Sequence, residues 1–177
     1  GDVAPSGHFP ITFPKNVNQL PAFDDYSMKG RTYKYMIDEP LYPFGFGLSY
    51  SSSKFSNIQL NSQKLKLDDE LQISVDLQNT GKTNFEEVVQ VYLVPVDGPD
   101  YLPMYSLKGF ERVQLDANET KTINFYLNSE DLKQVNVNGE KVWLKGTYKI
   151  IISNALPSER SIALGSSLPI QAQIRLK

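Results

Sequence analysis

Residues 71–79 read LQISVDLQN. Leu71, Ile73, Val75 and Leu77 alternate with Gln72, Ser74, Asp76 and Gln78, a strict period of two. In an extended chain successive side chains point to opposite faces, so this stretch predicts a strand with one buried and one wet side. That is the pattern of an antiparallel sheet packed on one face. Before it, FSNIQLNSQKLKL spaces Ile58, Leu60, Leu65 and Leu67 among polar residues. After it come VVQVYLVPV, LKGFERVQL, TKTINFYL, EKVWL, GTYKIIIS and PIQAQIRL, set apart by the turn clusters NTGK, DGPD, DANE and NVNGE. Short strands at this spacing predict an all-β fold over residues 54–177, an immunoglobulin/fibronectin type III-like antiparallel β-sandwich. One short helical turn is expected in NSEDLKQV (128–135), with Asn128 or Ser129 as its cap.

Residues 1–53 have a different texture. They hold Pro5, Pro10, Pro14, Pro21, Pro40 and Pro43, six of the chain's 11 prolines. Proline fixes φ and removes a donor, so this part should be extended and irregular, with at most short strands at HFPITF (8–13) and RTYKYM (31–36). So long an irregular stretch is expected to drape over a partner surface rather than fold alone. Gly1 is not a natural start residue, which suggests a piece of a longer protein.

Composition narrows the function classes. Lys and Arg number 18 against 20 Asp and Glu, and no basic run stands out, which argues against nucleic acid. No stretch approaches the ~20 apolar residues of a membrane span, so no membrane partner is expected. With no cysteine, thiolate metal sites, cysteine nucleophiles and disulfides are excluded. His8 is the one histidine and cannot build a metal site alone; it reads as a solvent-facing or hydrogen-bonded strand residue. Asp24–Asp25, Asp68–Asp69–Glu70 and Glu86–Glu87 are adjacent acids that point apart in an extended chain, and they read as solvated turns or edge charges. VDGPD (96–100) lacks the alternating acids of a calcium loop, and FGFG lacks the lysine of a phosphate loop. No cofactor is expected. Asn118-Glu119-Thr120 fits a glycosylation sequon, a pattern that also arises by chance.

Aromatic residues carry the remaining signal. LYPFGFGLSY (41–50) gathers Tyr42, Phe44, Phe46 and Tyr50 around two glycines and suits neither an amphipathic helix nor a polar linker. It either lines a ligand site or wedges two structural units together, and these four residues are the candidate interdomain contact. Trp143 reads as core. Tyr101, Met104 and Tyr105 sit in a long connection, as a packing plug or a contact for another surface; Tyr101 and Tyr105 are the candidate ligand or partner contact.

In order along the chain, PSGHFPITFP, GRTYKYM, PLYPFGFGLSY, NTG, EEVVQVYLV, LKGFERVQL and KGTYKIIIS resemble the C-terminal portion of glycoside hydrolase family 3, the β-glucosidases and β-xylosidases. The resemblance implies that residues 1–53 are the tail of the family's α/β sandwich domain with an interdomain linker, and 54–177 its fibronectin type III-like domain. His8 stands where the family commonly has Arg or Lys. The family's catalytic aspartate and its acid/base, often a glutamate, lie upstream, and no position here matches either motif. The resemblance therefore implies a non-catalytic structural role, bracing the catalytic domains of a periplasmic or secreted retaining exo-β-glycosidase. Those missing domains would be its partners. The alternative is a carbohydrate- or surface-binding sandwich module; a stand-alone adhesin fits less well, since it would not need the first 53 residues.

Overall fold

A computed structural model describes residues 3–177. Ten strands follow the N-terminal segment: β1 (Ser53–Leu60), β2 (Lys64–Leu65), β3 (Leu71–Asn79), β4 (Phe85–Pro95), β5 (Ser106–Leu115), β6 (Thr120–Leu127), β7 (Gln134–Val135), β8 (Lys141–Val142), β9 (Gly146–Ser153) and β10 (Ile170–Leu176). They form a three-stranded sheet β1-β3-β6, a five-stranded sheet β2-β10-β9-β4-β5 and a small β7-β8 hairpin. Every pairing is antiparallel except β2 with β10, where two residues run parallel at the sheet edge. The all-β sandwich read from the alternation is the fold observed.

The core lies between the two larger sheets. Leu71, Ile73, Val75 and Leu77 on β3 face Val89, Val91 and Leu93 on β4 and Tyr148, Ile150 and Ile152 on β9, all essentially removed from water. Each such side chain contributes roughly 1.5–3 kcal/mol on transfer from water. In β1 the apolar positions slip from Phe55 to Ile58. A register shift between Ser56 and Gln59, with Asn57 at φ 55°, absorbs the extra residue and returns Ile58 and Leu60 to the core.

Asn79 closes the end of β3 and is wholly buried. Its amide oxygen accepts from Ser51 Oγ at 2.6 Å and the Gly81 amide at 2.9 Å. Its nitrogen donates to the carbonyls of Thr83 at 2.8 Å and Asp116 at 2.9 Å. One side chain thus ties the β1 approach, the β3–β4 turn and the β5–β6 turn.

A 3-10 turn at Val17–Gln19 and three short α-helices complete the described residues: α1 (Thr32–Tyr35), α2 (Ser129–Leu132) and α3 (Glu159–Ala163). α2 is the turn expected in NSEDLKQV. Asn128 caps it, accepting from the Asp131 amide at 3.1 Å while the Asp131 carboxylate accepts from the Asn128 amide at 2.9 Å. Such reciprocal caps are worth about 1 kcal/mol, so Asn128→Ala should lower stability by about that amount in chemical denaturation. Two strand expectations are corrected. RTYKYM forms α1, because its ends turn back on themselves and the Met36 amide reaches the Thr32 carbonyl at 2.9 Å. HFPITF contributes a single bridge, Phe13 to Tyr42, because Pro10 and Pro14 interrupt its donors. Trp143 is half-buried at the margin of the core rather than inside it, its indole N–H donating to the Lys177 carbonyl at 2.9 Å.

Candidate interdomain site

The outer face of the five-stranded sheet explains why VVQVYLV is apolar without alternation. Tyr92 and Ile151 point away from the sandwich core and are buried, Tyr92 completely. Residues 3–52 cover them as a strap. Tyr33 from α1 and Phe44 pack there together, rings 4.4 Å apart, over Tyr92, Ile151 and Leu156. The Phe44 carbonyl accepts from the Leu156 amide at 2.9 Å.

Within the strap, residues 9–13 run beside 41–46. The Phe9 amide donates to Phe46 at 2.9 Å, Gly45 to Phe9 at 2.8 Å and Phe13 to Tyr42 at 2.9 Å. A turn at residues 43–46, closed by the Phe46 amide donating to the Pro43 carbonyl at 3.1 Å, points Phe44 toward the sandwich, whereas Tyr42 and Phe46 turn away and stack at 4.8 Å. Phe9 and Phe13 complete a four-ring cluster, at 5.0 Å from each other, and are 40% and 37% exposed. The strap therefore has two aromatic faces, one seated on the sheet and one open.

Gly45 makes the seating possible. Its φ is +77°, and a Cβ there would lie 2.8 Å from Gln90 Nε2 and 2.9 Å from Ala155 Cα. Gly47 is as tightly set, since a Cβ would meet the Gly7 carbonyl at 2.4 Å. These glycines are needed for close backbone approach, not for flexibility.

The strap is also held by a polar cluster at the same end of the sandwich. Glu87 falls on the parity of the core residues Phe85 and Val89, at the end where β9 stops pairing with β4 at Ser153. Its carboxylate is buried and accepts from Ser53 Oγ at 2.8 Å, Asn154 Nδ2 at 2.9 Å and the Val88 amide at 3.0 Å. His8 Nε2 stands 3.2 Å from it, and His8 Nδ1 is 2.6 Å from the Gly45 carbonyl. Ser167 Oγ donates to the Ser53 carbonyl at 2.7 Å, closing the ring. Burial opposes a charge on His8, but the bonds to Glu87 and Gly45 and the Glu87 charge outweigh it, and its pKa is raised. One expectation is corrected here: Glu87 is not solvated, because its neighbours supply donors in place of water. Of the two readings of His8 the hydrogen-bonded one holds, with the ring mostly buried against Glu87. Adjacency in sequence hid both, because their contact spans 79 residues of chain. Glu86, by contrast, is half-exposed and pairs with Arg112 at 2.9 Å.

The other candidates are dispersed. Tyr50 is 64% exposed and joins none of the ring contacts. Tyr105 packs inward, edge-on to Tyr92 at 6.3 Å, with its hydroxyl donating to the Pro157 carbonyl at 3.4 Å. Tyr101 stands apart, 37% exposed, beside Met28, Tyr35, Ile37 and Met104. The two tyrosines do not share a platform. Among the described residues no group of three or more His, Cys, Asp or Glu converges, and no helix is long and apolar enough to cross a membrane.

A fibronectin type III-like sandwich fronted by an aromatic strap defines the class, and the comparisons agree. A family model for a fibronectin type III-like domain matches residues 87–155, and one for the glycosyl hydrolase family 3 C-terminal domain matches residues 1–50. The chain belongs to glycoside hydrolase family 3 and carries the C-terminal region of that family. It is 40% identical over 145 residues to a periplasmic β-glucosidase of Salmonella typhimurium, covering 75% of this chain and 19% of that protein. It is 41% identical over 134 residues to a xylan 1,4-β-xylosidase of Xylanibacter ruminicola, covering 75% and 15%. A solved β-glucosidase from Erythrobacter marinus superposes with TM-score 0.79 at 31% identity, over 100% of this chain and 22% of that one. The chain thus spans about a fifth of the length of the curated relatives it matches.

Proposed function

We propose that this chain is a non-catalytic brace at the C-terminal end of a β-glucosidase- or β-xylosidase-type hydrolase. In this reading residues 1–53 are the tail of the preceding catalytic unit and its linker, and 54–177 the sandwich that holds that unit in place. The observation that carries it is the two-faced strap: Phe44 and Tyr33 dock on the sheet, while on the other side Phe9 and Phe13 stay open, packed with the half-buried Tyr42 and Phe46. Among the described residues, 13 of the 22 exposed large hydrophobic side chains lie in residues 3–50, where a further surface would cover them. Retaining hydrolysis needs two carboxyl groups held about 5–5.5 Å apart, and the buried carboxylate here, Glu87, is engaged by four neighbours of its own. The catalytic carboxylates belong to the rest of the parent, which is retaining, exo-acting and periplasmic or secreted.

A brace acts by position. Displacing reacting groups by 1 Å costs about 10²-fold in rate, so a rigid support matters without touching substrate. Removing residues 54–177 from the full-length enzyme should lower soluble yield and kcat/KM together on aryl glucosides or xylosides, whereas the isolated 177-residue chain should turn over neither. A truncated enzyme with unchanged solubility and rate would contradict the brace. Carbohydrate binding by the sandwich is the weaker reading, because Tyr105 packs inward and the two candidate tyrosines cannot act as one platform.

A further inference from the structure

The contacts of His8 point to a conformational device within this chain. Both of its ring nitrogens face acceptors, Nδ1 the Gly45 carbonyl at 2.6 Å and Nε2 the Glu87 carboxylate at 3.2 Å. A neutral imidazole has one N–H and can satisfy only one of them; the imidazolium, with two, satisfies both. The side chain is 14% exposed and that of Glu87 6%, so water does not replace a lost partner cheaply. We infer that His8 is a proton-dependent latch that fastens the strap to the sandwich as long as its ring carries both protons.

The geometry makes the latch act where it matters. Gly45 is the glycine whose tight approach seats Phe44 on the sheet, and its amide donates to Phe9, the residue next to His8. Glu87 in turn holds Ser53, where the strap passes into β1, and Asn154, in the loop that receives Phe44. Losing the second ring proton places a lone pair against either the Gly45 carbonyl or the Glu87 carboxylate. The repulsion falls on the joint between strap and sheet, not on the sandwich core.

The charged groups around the ring set the direction. From β4, Glu87 faces the ring directly, and Glu86 is held by Arg112 of β5. Arg112 opposes the imidazolium and Glu87 favours it. The strap and the 154–167 loop present Ser53, Asn154 and Ser167 to this cluster, all uncharged. His8 has a folded pKa above its free value of 6.5. A group raised on folding stabilises fully below its unfolded pKa and loses that contribution as pH rises through the folded one. The strap is therefore tight below pH 6.5 and loosens as the pH rises through the folded pKa of His8, which lies above that value.

This inference concerns the 177-residue chain alone and stands whether or not the brace reading does. The lone histidine makes the test clean, since a single imidazole signal appears in a heteronuclear NMR titration. Its apparent pKa should lie above 6.5 in the native chain and fall toward 6.5 in Glu87→Gln. Over the same range, the hydrogen-exchange protection factors of the Phe9 and Gly45 amides should drop about tenfold for each unit of that elevation. Those of Val91 in the core should not change. His8→Gln, which does not titrate, should abolish the pH dependence. A native His8 titrating at or below 6.5 would overturn the latch. So would strap protection that stays level while His8 titrates, or pH dependence that survives in His8→Gln.

Discussion

Gly45→Ala should lift the strap off the sandwich and cost about 2–5 kcal/mol. A non-glycine residue at φ +77° carries about 1–2 kcal/mol of backbone strain. The new methyl would also sit 2.9 Å from the Ala155 backbone and against the Gln90 amide, and overpacking of that kind costs about 1–3 kcal/mol. Gln90 has little room to yield, because its amide reaches the Asn154 carbonyl and its oxygen accepts from the Tyr92 hydroxyl. Gly139→Ala separates the two contributions, since Gly139 has φ +81° and nothing within 4 Å of the added atom. Denaturant melts of both variants should show Gly45→Ala losing clearly more than Gly139→Ala. Limited proteolysis should then open residues 9–50 first in Gly45→Ala. Equal losses in the two variants would mean that the strap tolerates the contact and is not seated as described.

Asn79→Ala should cost about 3–5 kcal/mol, toward the upper limit for a single substitution. The alanine leaves the Thr83 and Asp116 carbonyls and the Gly81 amide without their partner, and each costs about 1–3 kcal/mol where water does not take the amide's place. Asn79→Asp should fare no better, because a carboxylate oxygen would then face the two carbonyls that now accept from Nδ2. A loss near 1 kcal/mol for Asn79→Ala, at unchanged denaturant m-value, would show that water enters and replaces the amide.

How much of this was legible in the sequence depends on the reach of each contact. The β3 alternation is a local property of Leu71–Leu77, and it carried the sandwich correctly. VVQVYLV was legible as a strand, but its lack of alternation was the mark of a sheet covered on both faces, by core on one and strap on the other. RTYKYM alternates tyrosines as a strand does, yet it lacks a neighbouring strand to pair with and folds as a helical turn whose Tyr33 reaches the sheet. LYPFGFGLSY stood out as either a ligand lining or a wedge between units, but the division of labour between Phe44 and its neighbours Tyr42 and Phe46 follows from the Gly45 backbone, which no composition reveals. Asn79 lay in the NTGK turn cluster, whose composition says nothing of burial. Glu87 and His8 were unreadable for the same reason: their environment is built from residues 45, 53, 154 and 167, remote in sequence.

The seating of the strap has a consequence for synthesis. Phe44 emerges from the ribosome ahead of Leu156, whose amide holds its carbonyl and which follows 112 residues later (156 − 44). At about 5–20 residues per second that is a wait of roughly 6–22 s. Over that interval Tyr33 and Phe44 have no sheet to lie on, since β9 has not been made. Docking of the strap therefore waits until the sheet has been made, and in the cell the interval is one in which a chaperone would find these rings bare.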